Sequence, residues 1–121
     1  MSTLNLTNLG LFDNRRVELL NDLVSVNKQL MPHVVAAAIG CQLGEAMSLL
    51  LFLYGKDVVD GYLLIYHSKH LDVNFARRPL KSGLPDVDEM FCQICEEEIS
   101  GSDEILYDFE FVLKQDVYFE L

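Results

Sequence analysis

With 121 residues, half of them hydrophobic and 23% charged, the chain is long enough for one domain with a buried core and too apolar to be mainly disordered. Nine basic against nineteen acidic residues give a net charge of −10. That argues against general affinity for nucleic acid or anionic membranes, both of which need an excess of Lys and Arg.

The stretch Met1 to Gly10 has neither the basic start nor the apolar run of a signal peptide. Asp13 or Asn14 can cap a first helix running to about Asn27. On a 3.6-residue wheel Val17, Leu19, Leu20, Leu23, Val24, Val26 and Leu30 share one side, opposite Glu18, Asp22, Ser25 and Lys28. Pro32 suits the first turn of a short helix, Pro32 to Ile39. Gly40-Cys41 forms a turn, and a third helix from Gln42 to Tyr54 ends at Gly55, a residue suited to a C-terminal cap. The apolar run Val34 to Tyr54 is long enough to span a bilayer. It contains Gly40, Gln42, Gly44, Glu45 and Ser48, however, and a carboxylate at the centre of a membrane costs about 2.5–3.5 kcal/mol. Two buried helices are therefore expected. Gly61 to Tyr66 follows as a strand, with Asp72 to Phe75 as its return.

Charge is unevenly spread. Residues 1–85 hold eight basic and seven acidic groups, whereas residues 86–121 hold Lys114 alone against twelve carboxylates. The break falls beside Gly83-Leu84-Pro85, a loop signal, and divides an expected domain 1–85 from an appendage 86–121. A segment of that size does not fold alone without a metal or a docking surface. Within it Tyr107, Phe109, Phe111 and Leu113 alternate with polar neighbours. Lys114-Gln115-Asp116 can then turn the chain into Val117, Phe119 and Leu121, which predicts an acidic β-hairpin packed on the core.

Helix, short helix, tight turn, helix and hairpin over residues 12–80 resemble the winged helix-turn-helix superfamily in order and spacing. The fold class expected is α+β: a winged-helix-like domain of three helices and a β-hairpin with an acidic β appendage. The resemblance raises the question of DNA binding, yet the third helix carries no Arg or Lys with which to read bases or hold phosphates. Gln42, Glu45, Ser48, Leu49 and Phe52 share an arc opposite Leu43, Met47, Leu50 and Leu51. Gln42, Glu45, Leu49 and Phe52 then form a mixed face suited to a protein partner, unless Leu49 and Phe52 are buried. The basic segment His67 to Lys81 offers Lys69, Arg77, Arg78 and Lys81 either to phosphates or to carboxylates of the acidic tail.

His67-Ser68-Lys69-His70 and Cys92-Gln93-Ile94-Cys95 are two ligand pairs, and Cys2His2 is an accepted tetrahedral zinc set. The order Cys-x-x-Cys, loop, two strands resembles half of a zinc ribbon, whose second Cys pair is lacking here. The alternatives are packing of the cysteines as small core residues, which is the preferred reading, and redox activity. The latter normally needs a βαβ context, and Glu89, Glu96, Glu97 and Glu98 would raise the thiol pKa. The expected cofactor is accordingly none, with a structural zinc as the open alternative. Three cysteines, Cys41 included, leave one out of any disulfide scheme and fit a reducing cytoplasm. Cys41 itself, in a Gly-Cys turn, reads as a packed thiol. No phosphate loop, nucleophile elbow or His-Glu-x-x-His motif occurs, so no enzyme is expected. The functional expectation is an adaptor or regulatory subunit that binds a protein partner or a second copy. The alternatives are a DNA-binding winged-helix regulator and an acidic decoy that mimics nucleic acid.

Overall fold

The computed structural model describes residues 2–84, 91–99 and 104–121. The protein is α+β, with three α-helices and several strands among the described residues, and it divides into two compact units. One comprises Met1–Asp60 with Phe111–Leu121, the other Gly61–Glu110. The divisions thus fall after Asp60 and after Glu110. The boundary expected near Pro85 adjoins residues 85–90, which lie outside the described residues.

In the first unit, helix α1 (Asn14–Val26) starts where expected: the Asp13 carboxylate accepts the Arg16 amide at 2.8 Å. Val17 and Leu20 carry the buried side, while Val26, placed on that side by the wheel, is 78% exposed. Helix α2 (Pro32–Ile39) begins on its proline and ends at Gly40, whose φ of +70° is a conformation that glycine adopts without a Cβ clash. The Arg16 guanidinium donates to the Leu11 and Gly40 carbonyls and so ties the start of α1 to the end of α2. Helix α3 (Leu43–Gly55) opens on a reciprocal capping box between Gln42 and Glu45. Its last residue is Gly55, but the cap is Lys56 rather than the glycine. The left-handed residue that ends the turn is Asp57, at φ +60°, whose amide donates to the Tyr54 carbonyl.

Two short strands flank this bundle without an anticipating signal. Strand β1 (Ser2–Asn5) pairs in parallel with the chain's last strand, Val117–Glu120, in the register Ser2↔Val117 to Asn5↔Glu120. Strand β2 (Gln29–Leu30) sets Leu30 opposite Phe111, both fully buried. The core of this unit is Leu6, Leu20, Leu30, Val35, Leu49, Leu53, Phe111 and Phe119, each with no exposed surface. The α2–α3 pair bends by 112° at the intervening turn, and no single helix among the described residues is long and apolar enough to cross a membrane.

The second unit is built on strands. Strand β3 (Val59–His67) pairs antiparallel with β4 (Ala76–Pro79), in the register Tyr62↔Pro79 to Ile65↔Ala76. The return strand therefore starts just after the segment Asp72 to Phe75 expected to form it. A tight turn, closed by the His70 amide on the His67 carbonyl, takes up residues the shorter register would have paired. Strands β5 (Phe91–Cys92) and β6 (Glu97–Glu98) make a very small hairpin. Leu63, Ile65, Cys92, Ile99 and Ile105 form its buried cluster.

Strands β7 (Ile105–Leu113) and β8 (Val117–Glu120) do not form the hairpin predicted from their alternation. The strand order is β2-β7-β3-β4, so both edges of β7 are taken, and β8 pairs with β1 instead. The other edge of β8 is met by a side chain. The Asn21 carboxamide donates to the Phe119 carbonyl and accepts the Phe119 amide, imitating one residue of a neighbouring strand.

Candidate metal centre

His67 sits at the end of β3 with no exposed surface, and His70 follows across the tight turn. The turn places the two imidazole rings 5.9 Å apart at 55°. Cys92 ends β5, fully buried, and Cys95 lies on the turn that leads into β6. Glu96, at φ +57°, supplies the left-handed residue that closes this turn in register, Cys92 facing Glu97. Each pair thus stands on its own turn, which directs two donors to one side.

The fold brings the two pairs together. One donor atom from each of His67, His70, Cys92 and Cys95 lies within 4.8 Å of every other. The Cys95 sulfur is 3.4 Å from His67 Nδ1. Zinc at about 2.3 Å from sulfur and about 2.0–2.1 Å from nitrogen, in a tetrahedron, holds its donors roughly 3.3–3.8 Å apart. The group is therefore of the size and chemistry to hold a metal ion with modest inward movement. Both imidazoles also have a buried Nε2 without a hydrogen-bond partner. Two histidines selected only for packing would be expected to satisfy those nitrogens.

The two thiols share a hydrogen bond. Burial pushes the Cys92 thiol up, but the Cys95 amide, the Cys95 thiol and the Ile94 amide all donate to its sulfur and bring its pKa below the ordinary thiol value. Burial and the bond to Cys92 raise that of Cys95, although the Glu97 amide donates to it. Main-chain N–H groups aimed at sulfur stabilise thiolate, the form that binds metal. Lys69, between the two histidines, bonds Glu97 at 2.8 Å and links the two ligand turns from outside. That contact raises the Lys69 pKa and lowers that of Glu97, as expected of a charge-assisted hydrogen bond.

Three of the four basic residues offered to phosphates are engaged within the second unit. Besides Lys69, Arg77 donates to the buried Glu110 carboxylate at 2.8 Å and lies 3.6 Å over the Tyr62 ring. Arg78 donates to the Ser82 carbonyl, and Lys81 is exposed in the following short 3-10 turn.

The proposed partner-binding arc on α3 is not assembled as expected. Leu49 is fully buried and belongs to the core, and Phe52 is half-buried under the Lys56 ammonium. Gln42 and Glu45 are occupied in capping the helix, with Arg16 3.9 Å from the Glu45 carboxylate. The side facing solvent carries Leu43 and Leu51, which the wheel had placed inward. Helix α3 is apolar almost all round, so the wheel gives two sides of similar hydrophobicity and no means of choosing between them. Cys41 is half-buried, and burial together with Glu45 raises its thiol pKa, as suits a packed residue.

No protein-family model matches this sequence, and no curated protein or solved structure matches it either. The chemistry of the site rests on its own geometry.

Proposed function

We propose that the protein is a non-enzymatic interaction module of winged-helix type whose second unit is folded around a structural zinc ion on His67, His70, Cys92 and Cys95. The observation that carries the metal reading is the convergence of four neutral-or-thiolate donors from two turns. Two thiolates balance the ion's charge, and a Cys2His2 set fills a tetrahedron without leaving the open position that catalytic zinc requires. The small cluster Leu63, Ile65, Cys92, Ile99 and Ile105 gives a physical need for the ion: metal binding is coupled to folding where apolar burial is slight.

The winged-helix reading is supported by the chain order α1, β2, α2, α3, β3 and β7, with β2 beside β7 and β7 beside β3. In this reading β7 takes the place in the wing of the return strand expected at Asp72 to Phe75, and the metal turns lie in the long connection between β3 and β7. An adaptor role is favoured over DNA reading because α3 carries no Arg or Lys and the cations of the second unit bond carboxylates or carbonyls, Lys81 aside. Free cysteines fit a reducing compartment such as the cytoplasm.

Elemental analysis of protein purified without chelator should give about one zinc per chain. Loss of metal in both Cys92→Ser and His70→Ala is the expected companion result. A metal-free protein whose second unit resists protease would overturn the proposal. Random duplex DNA at about 100 mM salt should show no binding at micromolar protein; tight binding lost in Arg77→Ala/Arg78→Ala would replace the adaptor with the DNA-binding reading.

A further inference from the structure

Helix α3 turns toward solvent a side with no charged group on it. Leu43 and Leu51 are 58% and 47% exposed, and Met47 lies half-buried between them. Beside this row are Gly44, Ser48 and Gly55, all exposed, with the Ser48 hydroxyl turned back onto the Gly44 carbonyl at 3.0 Å. A Cβ built on Gly44 or Gly55 would meet nothing within 4 Å, so the helix backbone is bare there and open to close approach by another helix. Charge appears only at the two ends: Glu45 in the first turn and Lys56 just past the last. Three helical turns separate them, which sets both on one flank of the row.

We infer that α3 is the contact of a two-fold homodimer, packed antiparallel against α3 of a second copy. This rests on the interaction-module reading and names its partner. Antiparallel pairing centred between Leu50 and Leu51 brings Glu45 of one copy beside Lys56 of the other, twice over. Parallel pairing would leave neither residue beside an opposite charge. A two-fold contact juxtaposes a surface with itself. In a chain of net charge −10, a side that carries no carboxylate is where two copies meet with least repulsion. The exposed leucines then lose water on both sides, and the glycines let the axes approach to roughly 8 Å. A single helix of this length buries less than the ~800 Å² per partner of a standard complex, so a weak, concentration-dependent dimer is expected.

Sedimentation equilibrium of the full chain as purified, from about 5 to about 300 μM, tests this directly. A monomer–dimer equilibrium is expected. Leu51→Asp should weaken it by more than about tenfold, with circular dichroism and zinc content unchanged, because it places two carboxylates at the contact centre. Lys56→Glu should weaken it about three- to tenfold and Lys56→Arg should leave it unchanged, since only the second keeps a cation opposite Glu45 of the second copy. A wild-type chain that stays monomeric at about 300 μM, or a dimer indifferent to Leu51→Asp, overturns the proposal. A chain monomeric in solution that floats with neutral phosphatidylcholine vesicles overturns it too and assigns the side to lipid. Zinc content is read separately: failure of the dimer leaves the metal site standing, and a zinc-free dimer removes the metal site alone.

Discussion

The two units are held together by different physics. In the first, three helices and two short strand pairs enclose Leu6, Leu20, Leu30, Val35, Leu49, Leu53, Phe111 and Phe119, all without exposed surface. Each buried side chain of that kind contributes about 1.5–3 kcal/mol, so apolar burial by itself can sustain the unit. In the second, the fully buried cluster includes a cysteine and is ringed by half-buried Phe75, Ala76, Leu80, Cys95 and Phe109, and the buried polar residues among those described are His67 and Glu110. Its specificity lies in polar and ligand contacts: His67 with Cys95, Lys69 with Glu97, Arg77 with Glu110. A unit of the first kind spreads its stability over many contacts. One of the second kind depends on a few.

If the second unit holds zinc as proposed, removing it should break this comparison most sharply. Cys92→Ser should lower zinc affinity by more than about 100-fold, and either this change or removal of the ion by a chelator should open the second unit while the first stays folded. Limited proteolysis followed by mass mapping reads this out as new cleavage within residues 61–110 and continued protection of 2–60. Cleavage spread over both units would show that one cooperative core spans the chain.

Next in size is a paired test of α3. Leu49→Ala removes a fully buried side chain and should cost about 2–5 kcal/mol, whereas Leu51→Ala, on the exposed side, should change monomer stability by no more than about 0.5 kcal/mol. Urea unfolding below the dimer concentration range measures both. Equal effects would mean that Leu51 is buried as deeply as Leu49.

Arg77→Ala should destabilise the second unit by about 1–2 kcal/mol, since the buried Glu110 carboxylate loses a charge-assisted donor and Tyr62 loses its stacked guanidinium. The figure stays at the lower end because Arg77 is itself half-exposed. Arg77→Lys should recover only part of it, for an ammonium cannot both stack and present a planar fork.

The smallest effect belongs to Lys69→Ala. Lys69 and Glu97 are exposed, so their bond is screened by salt and should matter little at high ionic strength. Because Lys69 holds the Glu97 carboxyl below its usual range, whatever the pair adds is present at neutral pH and fades as pH falls through that lowered value. A difference between wild type and Lys69→Ala that persists in 1 M salt would show that the lysine acts through packing.

Helix positions were legible because their signals are local. The Asp13 cap, Pro32 at a helix start, Gly40 in the turn and the two His and Cys spacings each act within a few residues of themselves, and the structure has them where the sequence puts them. Three features were decided elsewhere. Strand β8 was expected on β7 because the linker is short, yet β7 has both edges occupied, and β1, a polar stretch without a strand signature, provides the partner. The inward side of α3 follows from what packs against it, since its own pattern is nearly isotropic. Above all, the spacing within each ligand pair belongs to the sequence, but the meeting of His67 and His70 with Cys92 and Cys95 depends on strand pairing between distant segments. Short-range rules fix turns and caps with a few dihedral angles, whereas bringing together residues far apart in the chain costs loop entropy that only the folded assembly of strands can offset.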